Sequence, residues 1–281
     1  YKRYDNQHAE IYTNESSDRA FEEEVMLSGF ANANVKVEGS GVNYDQSQET
    51  YTARYTHDTI ALAFAITEEA IEDNLYDRIS SRYTKALARS MSNAKQVKAA
   101  APLNNGLPTA DGFDSGDGVS LFNTAHTTVS GTNVKNTLTT QADLNETSLE
   151  QALIDIAAFT DERGLRVAAK GVKMIIPSAN QFSAERLLKS QGRTGTADND
   201  INAVASMGMV PQGYRVNNFL TDSDSWYIIT DCPNGMKMFT RAPLTTAMEG
   251  DFDTGNVRYK ARERYSFGVS DYRGIFGCEG A

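Results

Sequence analysis

One stretch restricts the folds open to this chain more than any other: TIALAFAITEEAIEDNLYDRISSRYTKALARSMSNAKQVKAAAP, residues 59–102. Its first part alternates. Ile60, Leu62, Phe64 and Ile66 share one side and Ala61, Ala63 and Ala65 the other, which predicts a strand with one bulky and one small face. At Thr67 the period changes. Thr67 is a good N-cap, Glu68, Glu69 and Glu72 occupy the first turns, and Lys95 and Lys98 lie near the far end, the charge order a helix dipole favours. Ile71, Leu75, Ile79, Leu87, Met91 and Ala94 form an apolar stripe at three and four spacing. Pro102 and Gly106 are expected to end the helix, so it would span residues 67–101, about 50 Å. A helix of that length is a beam that the rest of the chain must be built around.

A second alternating stretch closes the chain: NVRYKARERYSFGVSDYRGIFG, residues 256–277. Val257, Tyr259, Ala261, Tyr265, Phe267 and Val269 make an apolar row broken only by Glu263, while Arg258, Lys260, Arg262 and Arg264 make a basic row. Glu263 on the apolar side calls for a buried partner, most often an Arg. The basic row has three readings. It could be a surface strand paired with acids of the same chain, a subunit interface where cations meet carboxylates, or a surface touching phosphates without sequence preference. The formal net charge of -10 argues against an avid general nucleic-acid binder.

Between and before these stretches the chain changes character repeatedly. Residues 1–30 read as a weakly anchored arm, with AFEEEVMLSGF as a short helix stopped by Gly29. Residues 31–58 contain the alternating pairs Val35/Val37 and Val42/Tyr44, then Tyr51, Ala53 and Tyr55, with Gly39 and Gly41 for a turn. This predicts an extended hairpin, too poor in apolar residues to stand alone. Residues 103–146, rich in Gly, Asn, Asp, Ser and Thr, read as a solvated loop; Asp111, Asp114 and Asp117 lack the spacing of a calcium loop. Next come a helix with Thr147 and Glu150 as capping box, Leu149, Leu153 and Ile156 inward and Gly164 at its end; a buried strand VKMIIP; and a helix with Ser178 and Gln181 as capping box. The loop QGRTGTADND, strands in GYRVNNF and SWYIITD, and a turn at Pro233-Asn234-Gly235 follow. These elements predict a compact α/β subdomain within an α+β chain.

Chemistry is not advertised. His8, His57 and His126 stand in separate polar contexts, no HExxH or CxxC is present, and Cys232 and Cys278 read as two reduced thiols. There is no phosphate loop, no dinucleotide fingerprint and no nucleophile elbow. Ser92 to Lys95 matches SxxK without its companion motifs, Asp251 and Asp253 sit among turn residues, and Asn14 and Asn145 match glycosylation sequons. No catalytic, cofactor or metal residue is assigned. No apolar run reaches the length of a membrane helix, and the polar opening YKRYDNQHAE is not a signal peptide. The start at Tyr1 rather than Met is compatible with removal of preceding residues.

The order of parts, together with TEEAIEDNLYDRISSRYTKALARSM, LFNTAHTTVSGT, LRVAAKGVKMIIPSANQFSAERLLKS and DFDTGNVRYKARERYSFGVSDYRGIFG, resembles the major capsid proteins of tailed bacteriophages with the Hong Kong 97-type fold. The resemblance covers nearly the whole chain. It implies an N-arm (1–30), an extended E-loop (31–58), a P-domain (59–145) with spine helix 67–101, an A-domain (146–238) and a return to the P-domain (239–281). It implies a non-enzymatic subunit, without cofactor, that assembles with itself into pentamers and hexamers of an icosahedral head shell around double-stranded DNA. Portal, scaffold and decoration proteins would be further partners, DNA contact would be non-specific, and the location would be the virion, after assembly in the bacterial cytoplasm. Lys36, Glu38, Arg54, Arg258, Lys260, Arg262 and Arg264 become the candidate assembly-interface residues. Some relatives crosslink an E-loop Lys to an Asn beside a catalytic Glu. Here Lys36 is expected near the base of the loop, and Asn256 and Glu263, an odd number apart, would face opposite sides of a strand, which argues against that reaction. An encapsulin-like cargo shell is the alternative within the fold, and a soluble enzyme the alternative outside it.

Overall fold

The structure is a computed structural model. It describes residues 5–73, 76–107, 112–192 and 200–281, and of residues 76–81 the backbone. In chain order the elements are β1 (Thr13–Ser16), β2 (Phe21–Leu27), β3 (Glu49–Thr56), β4 (Asp58–Ile66), α1 (Glu68–Glu72) and α2 (Tyr76–Asn105). Then come β5 (His126–Thr127), β6 (Asn133–Val134), α3 (Glu146–Ala157), β7 (Gly171–Ile176), α4 (Gln181–Lys189) and α5 (Ala203–Met207). The last are β8 (Tyr214–Val216), β9 (Trp226–Thr230), β10 (Met236–Gly250), β11 (Val257–Val269) and β12 (Ile275–Cys278). The mixture is α+β, and it divides into two units interleaved in sequence: residues 1–22, 55–99 and 238–268 form one, the remainder the other. Leu75, Asp111 and residues 193–199 of the QGRTGTADND loop lie outside the described residues, as does the side chain of Ile79.

The first unit is built on a four-stranded sheet in the order β1-β10-β11-β4. β4 and β11 are antiparallel, with Tyr259 opposite Phe64, Ala261 opposite Leu62 and Glu263 opposite Ile60. Ala261 packs with Leu87 and Met91 of α2, and Ile60 and Phe64 close over that cluster. The predicted face of β4 is therefore partly filled: Ile66 is buried, Ile60 and Phe64 half-buried, and Leu62 exposed. Thr67 stands at the N-cap of α1, but its hydroxyl makes no capping bond. Of the expected helix over residues 67–101, α1 covers Glu68–Glu72 and α2 the part from Tyr76 on, with residues 74–75 outside the described residues. α2 does not stop at Pro102; it continues to Asn105 with Pro102 in its last turn, where buried Ala99, Ala100 and Leu103 offset the lost backbone bond.

Residues 11–17 are anchored more firmly than a weakly anchored arm would be. Ile11 and Tyr12 are buried, the Tyr12 hydroxyl donates to the Ala99 carbonyl at 2.7 Å, and its ring lies 4.9 Å from that of Phe267. β1 joins the sheet, and the Ser17 N–H donates to Thr240 C=O at 3.1 Å. AFEEEVMLSGF is also not a helix. It forms β2, pairing with β3, with Glu22, Glu24 and Met26 half-buried and Phe21, Val25 and Leu27 exposed. Four-residue spacing of Phe21 and Val25 suits either period, and pairing with a neighbouring strand decided it.

The second unit has the sheet order β12-β9-β7-β8. β7 runs parallel to β8 and antiparallel to β9. Its core contains Leu149, Ile156, Met174, Ile176, Trp226, Tyr227, Ile228, Ile275 and Phe276, all buried. Gly171 permits the close approach of α3 to the sheet, since a Cβ there would lie 2.9 Å from Ile228 and 3.0 Å from Leu153. Leu149, Leu153 and Ile156 face inward as the sequence predicts. The cap differs: Asn145 and Ser148 form the capping box of α3, two residues earlier than Thr147 and Glu150. α3 ends at Ala157, and Gly164, with φ +84°, serves a later turn. Ser178 starts a short 3-10 turn, and α4 begins at Gln181 without a side-chain cap. Asn234 does turn the chain, with φ +59°.

Residues 113–138 are packed rather than solvated. Leu121, Phe122, Val134 and Leu138 are buried, and Gly277 lies so close beneath the Phe122 ring that a Cβ there would come within 2.6 Å. Fully buried His126 holds Asp117 through Nδ1 at 2.6 Å and Asn136 through Nε2 at 3.1 Å, and stacks on Tyr272 at 3.9 Å. The Asn136 amide donates to the carbonyls of Leu121 and Tyr272. Burial pushes the Asp117 carboxyl up, but hydrogen bonds from His126 and Ser115 outweigh it and hold the group below its usual range. Asp117 is therefore an internal fastener.

Candidate assembly interface

The resemblance implies a subunit that acts through its surfaces, where the charged and apolar groups left without partners inside the fold lie. On β11 the two rows separate as the alternation predicts. Arg258, Lys260 and Arg262 are exposed, and Ala261, Glu263 and Tyr265 are buried. The register places Arg258 opposite Ala65, Lys260 opposite Ala63 and Arg262 opposite Ala61. The cations therefore rise above the small face of β4 with no bulky neighbour there. Lys260 and Arg262 have no side-chain partner among the described residues. Arg258 has one in its own chain, Asp251 of the β10–β11 turn. Arg264, opposite Thr59, is half-buried.

The opposite face explains Glu263. Its carboxylate lies 2.5 Å from Lys95 Nζ of α2, and that ammonium sits 4.9 Å over the Tyr265 ring. The partner is a Lys, not an Arg, because α2 brings Lys95 to this position. Near the sheet's other end His57 is buried between two hydroxyls, Ser17 Oγ at Nε2 and Ser266 Oγ at Nδ1, each at 2.9 Å. Ser17 donates to Glu22 at 2.7 Å, so Nε2–H donates to Ser17 and Nδ1 accepts from Ser266. Burial and the Arg264 guanidinium lower the pKa of His57. Sequence reasoning missed this chain, since no spacing joins Ser17, His57 and Ser266.

In the other unit β3, the last part of the predicted hairpin of residues 31–58, pairs with β2, which precedes that segment, and residues 28–48 between them form no strand. The Ser28 N–H donates to Gln48 C=O, Ala31 N–H to Asp45, and Arg163 to Gln46 C=O. Beyond these, Ser40 N–H closes a turn on Val37 C=O. Lys36 therefore sits beside the tip of the segment, not at its base; Lys36 and Glu38 are both exposed. Arg54 is exposed on β3, 3.7 Å from Glu23. Val35 and Tyr44 are 95% and 98% exposed. The expected interface residues thus fall in two places: the β4–β11 surface, and the hairpin with its tip. Among the described residues no His, Cys, Asp and Glu cluster could hold a metal, and no helix is long and apolar enough to cross a membrane.

The family model described as phage capsid protein matches residues 50–277. The chain belongs to the phage capsid protein family. Its fold is that of solved capsids. The capsid of an empty GTA particle is 14% identical with a TM-score of 0.65, covering 100% of this chain and 91% of that one. The capsid of Myoviridae phage XM1 is 12% identical, TM-score 0.57, covering 96% and 89%. A virus-like particle from Pyrococcus furiosus is 12% identical, TM-score 0.52, covering 95% and 89%. No curated protein matches in sequence. A capsid protein of this family is a structural subunit of the phage head.

Proposed function

We propose that this capsid protein builds, with many copies of itself in pentamers and hexamers, the icosahedral shell that encloses the double-stranded DNA of a tailed phage. In this reading residues 1–30 are the N-arm, 31–58 the E-loop, 59–145 and 239–281 the P-domain and 146–238 the A-domain. The protein is not an enzyme; it assembles in the bacterial cytoplasm and meets portal, scaffold and decoration proteins there. The observation that carries the reading is the family match over residues 50–277, and the exposed, apolar tip of the hairpin supports it. An exposed apolar patch of this kind suits contact with another subunit.

Lys260 and Arg262 serve acidic surfaces of neighbouring subunits, in line with the chain's net charge of -10. Arg258 is already engaged by Asp251, so it contributes less. Negative-stain microscopy of purified protein should show closed particles carrying nuclease-protected DNA when made in an infected host. Monomers or small oligomers alone would defeat the shell reading. Particles that hold protein cargo instead of DNA would favour an encapsulin-like shell, to which the likeness of fold to the Pyrococcus furiosus particle lends some weight. Lys260→Ala with Arg262→Ala should reduce particle yield. If shells form normally and package DNA poorly, the row contacts the genome.

A further inference from the structure

Gln96 of α2 is polar and only 2% exposed, and its side chain meets the start of the chain. Residues Gln7–Glu10 form a short 3-10 turn there. Gln96 bonds His8 twice: Oε1 accepts from the His8 N–H at 3.0 Å, and the amide nitrogen lies 2.8 Å from His8 Nδ1. The same nitrogen reaches the Asp5 carbonyl at 3.4 Å.

This double contact fixes where the ring carries its proton. A backbone N–H only donates, so the amide must turn its oxygen toward it. The NH2 then faces Nδ1 and donates, and Nδ1 must be bare. His8 is therefore neutral, with its hydrogen on Nε2. A reversed amide would accept from a protonated ring and raise its pKa, but would set its NH2 against the His8 N–H. Protonating Nδ1 with the amide as it stands leaves two donors face to face at 2.8 Å.

The surroundings favour the neutral ring. Burial lowers the pKa of His8, and the Lys95 ammonium of α2 adds to this. From β11 the ring meets Phe267, edge-on at 6.0 Å and uncharged, while Glu263 and Tyr265 of that strand engage Lys95. In its own segment the titratable groups are Asp5, Glu10 and Tyr12. Asp5 meets Gln96 through its carbonyl, and the Tyr12 hydroxyl is taken by Ala99 C=O. We propose that residues 5–10 are a flap held on α2 by neutral His8 and Gln96, which opens when His8 takes up a proton and pivots at Tyr12. Tyr12 serves as pivot because its bond to Ala99 and its contact with the Phe267 ring do not titrate near neutrality; burial moves its phenol further up. The device belongs to the single subunit and stands whether or not the protein forms shells.

Amide exchange of free, full-length subunits, corrected for the intrinsic effect of pH, tests it. The His8 N–H bonds Gln96, the Ala9 N–H bonds Asn6 C=O and the Ile11 N–H bonds His8 C=O, so these amides report the flap. Their protection should be complete above about pH 6.5 and fall below it, by up to about tenfold per pH unit. Amides of α2 around Leu87 and Met91 should keep theirs. His8→Gln retains an acceptor for the Gln96 amide and has no proton to gain, so its flap protection should stay flat. Gln96→Glu should reverse the trend, since a carboxylate accepts from the backbone N–H and from a protonated ring alike. A wild-type profile that matches that of His8→Gln would overturn the proposal, as would a flap that loosens in acid in Gln96→Glu. Should Gln96→Glu not fold, the comparison of wild type with His8→Gln decides alone.

Discussion

Lys95 Nζ lies 2.5 Å from Glu263 Oε2, so the one charge in the apolar row of β11 is answered from α2. Glu263 is 3% exposed, and with its partner gone the carboxylate would stay buried and uncompensated. Lys95→Met should destabilise the free subunit by about 3–5 kcal/mol in chemical denaturation. Lys95→Met with Glu263→Met should recover most of that loss, because an apolar pair of similar volume needs no desolvated charge. A double variant as unstable as the single one would show that the pair does not act as a unit.

His57 gives the subunit an acid-sensitive joint. Its pKa in the folded protein is lowered from 6.5 by burial and by Arg264. A histidine held neutral in this way contributes stability that is complete above its unfolded value. That contribution declines as pH falls from about 6.5 through the folded value, by at most about 1.4 kcal/mol per pH unit. His57→Gln should flatten this part of the stability–pH curve. An unchanged slope would show that another group titrates there.

Gly235 and Gly274 bring two backbones together. A Cβ on Gly274 would stand 2.3 Å from Gly235 Cα, and one on Gly235 2.8 Å from Gly274 Cα. Gly274→Ala should cost about 1–3 kcal/mol or more, read as a lowered denaturant midpoint. Gly118→Ala is a comparison for positive φ without crowding, since nothing lies within 4 Å of its Cβ position.

The Asn136 side chain accepts from Asn123 N–H and His126, and donates to the carbonyls of Leu121, Tyr272 and Ile275. Asn136→Ala leaves several buried polar groups without partners, each worth about 1–3 kcal/mol. Thermal denaturation should show it among the most damaging single changes in the chain, well beyond Asn133→Ala, whose side chain is exposed.

A denaturing gel of assembled particles should show a single band near the chain mass of 30.8 kDa. Lys36 does sit beside the hairpin tip, yet Glu263 is held by Lys95, and Asn256 precedes β11 rather than sharing its buried face. A ladder of higher bands would mean that another Asn and carboxylate perform the reaction.

Periodicity alone determined much of this protein. The two faces of β4, the apolar and basic rows of β11 and the inward face of α3 follow from residue spacing, because side-chain direction is fixed locally by the period of the backbone, and the turn around Asp251 and Asp253 follows from its Asp, Gly and Asn residues. The resemblance in the order of parts, carried by those stretches, led to the family. Other features depended on residues distant in sequence. FEEEVML became a strand because β3 was there to pair with it, α2 ran through Pro102 because Ala99, Ala100 and Leu103 were buried, and a polar loop became packed because His126 met Asp117, Asn136 and Tyr272. The partner of Glu263 and the serines flanking His57 were equally invisible in the sequence. Hydrogen bonds and burial between segments far apart in the chain carry no local period, so only the tertiary structure could decide them.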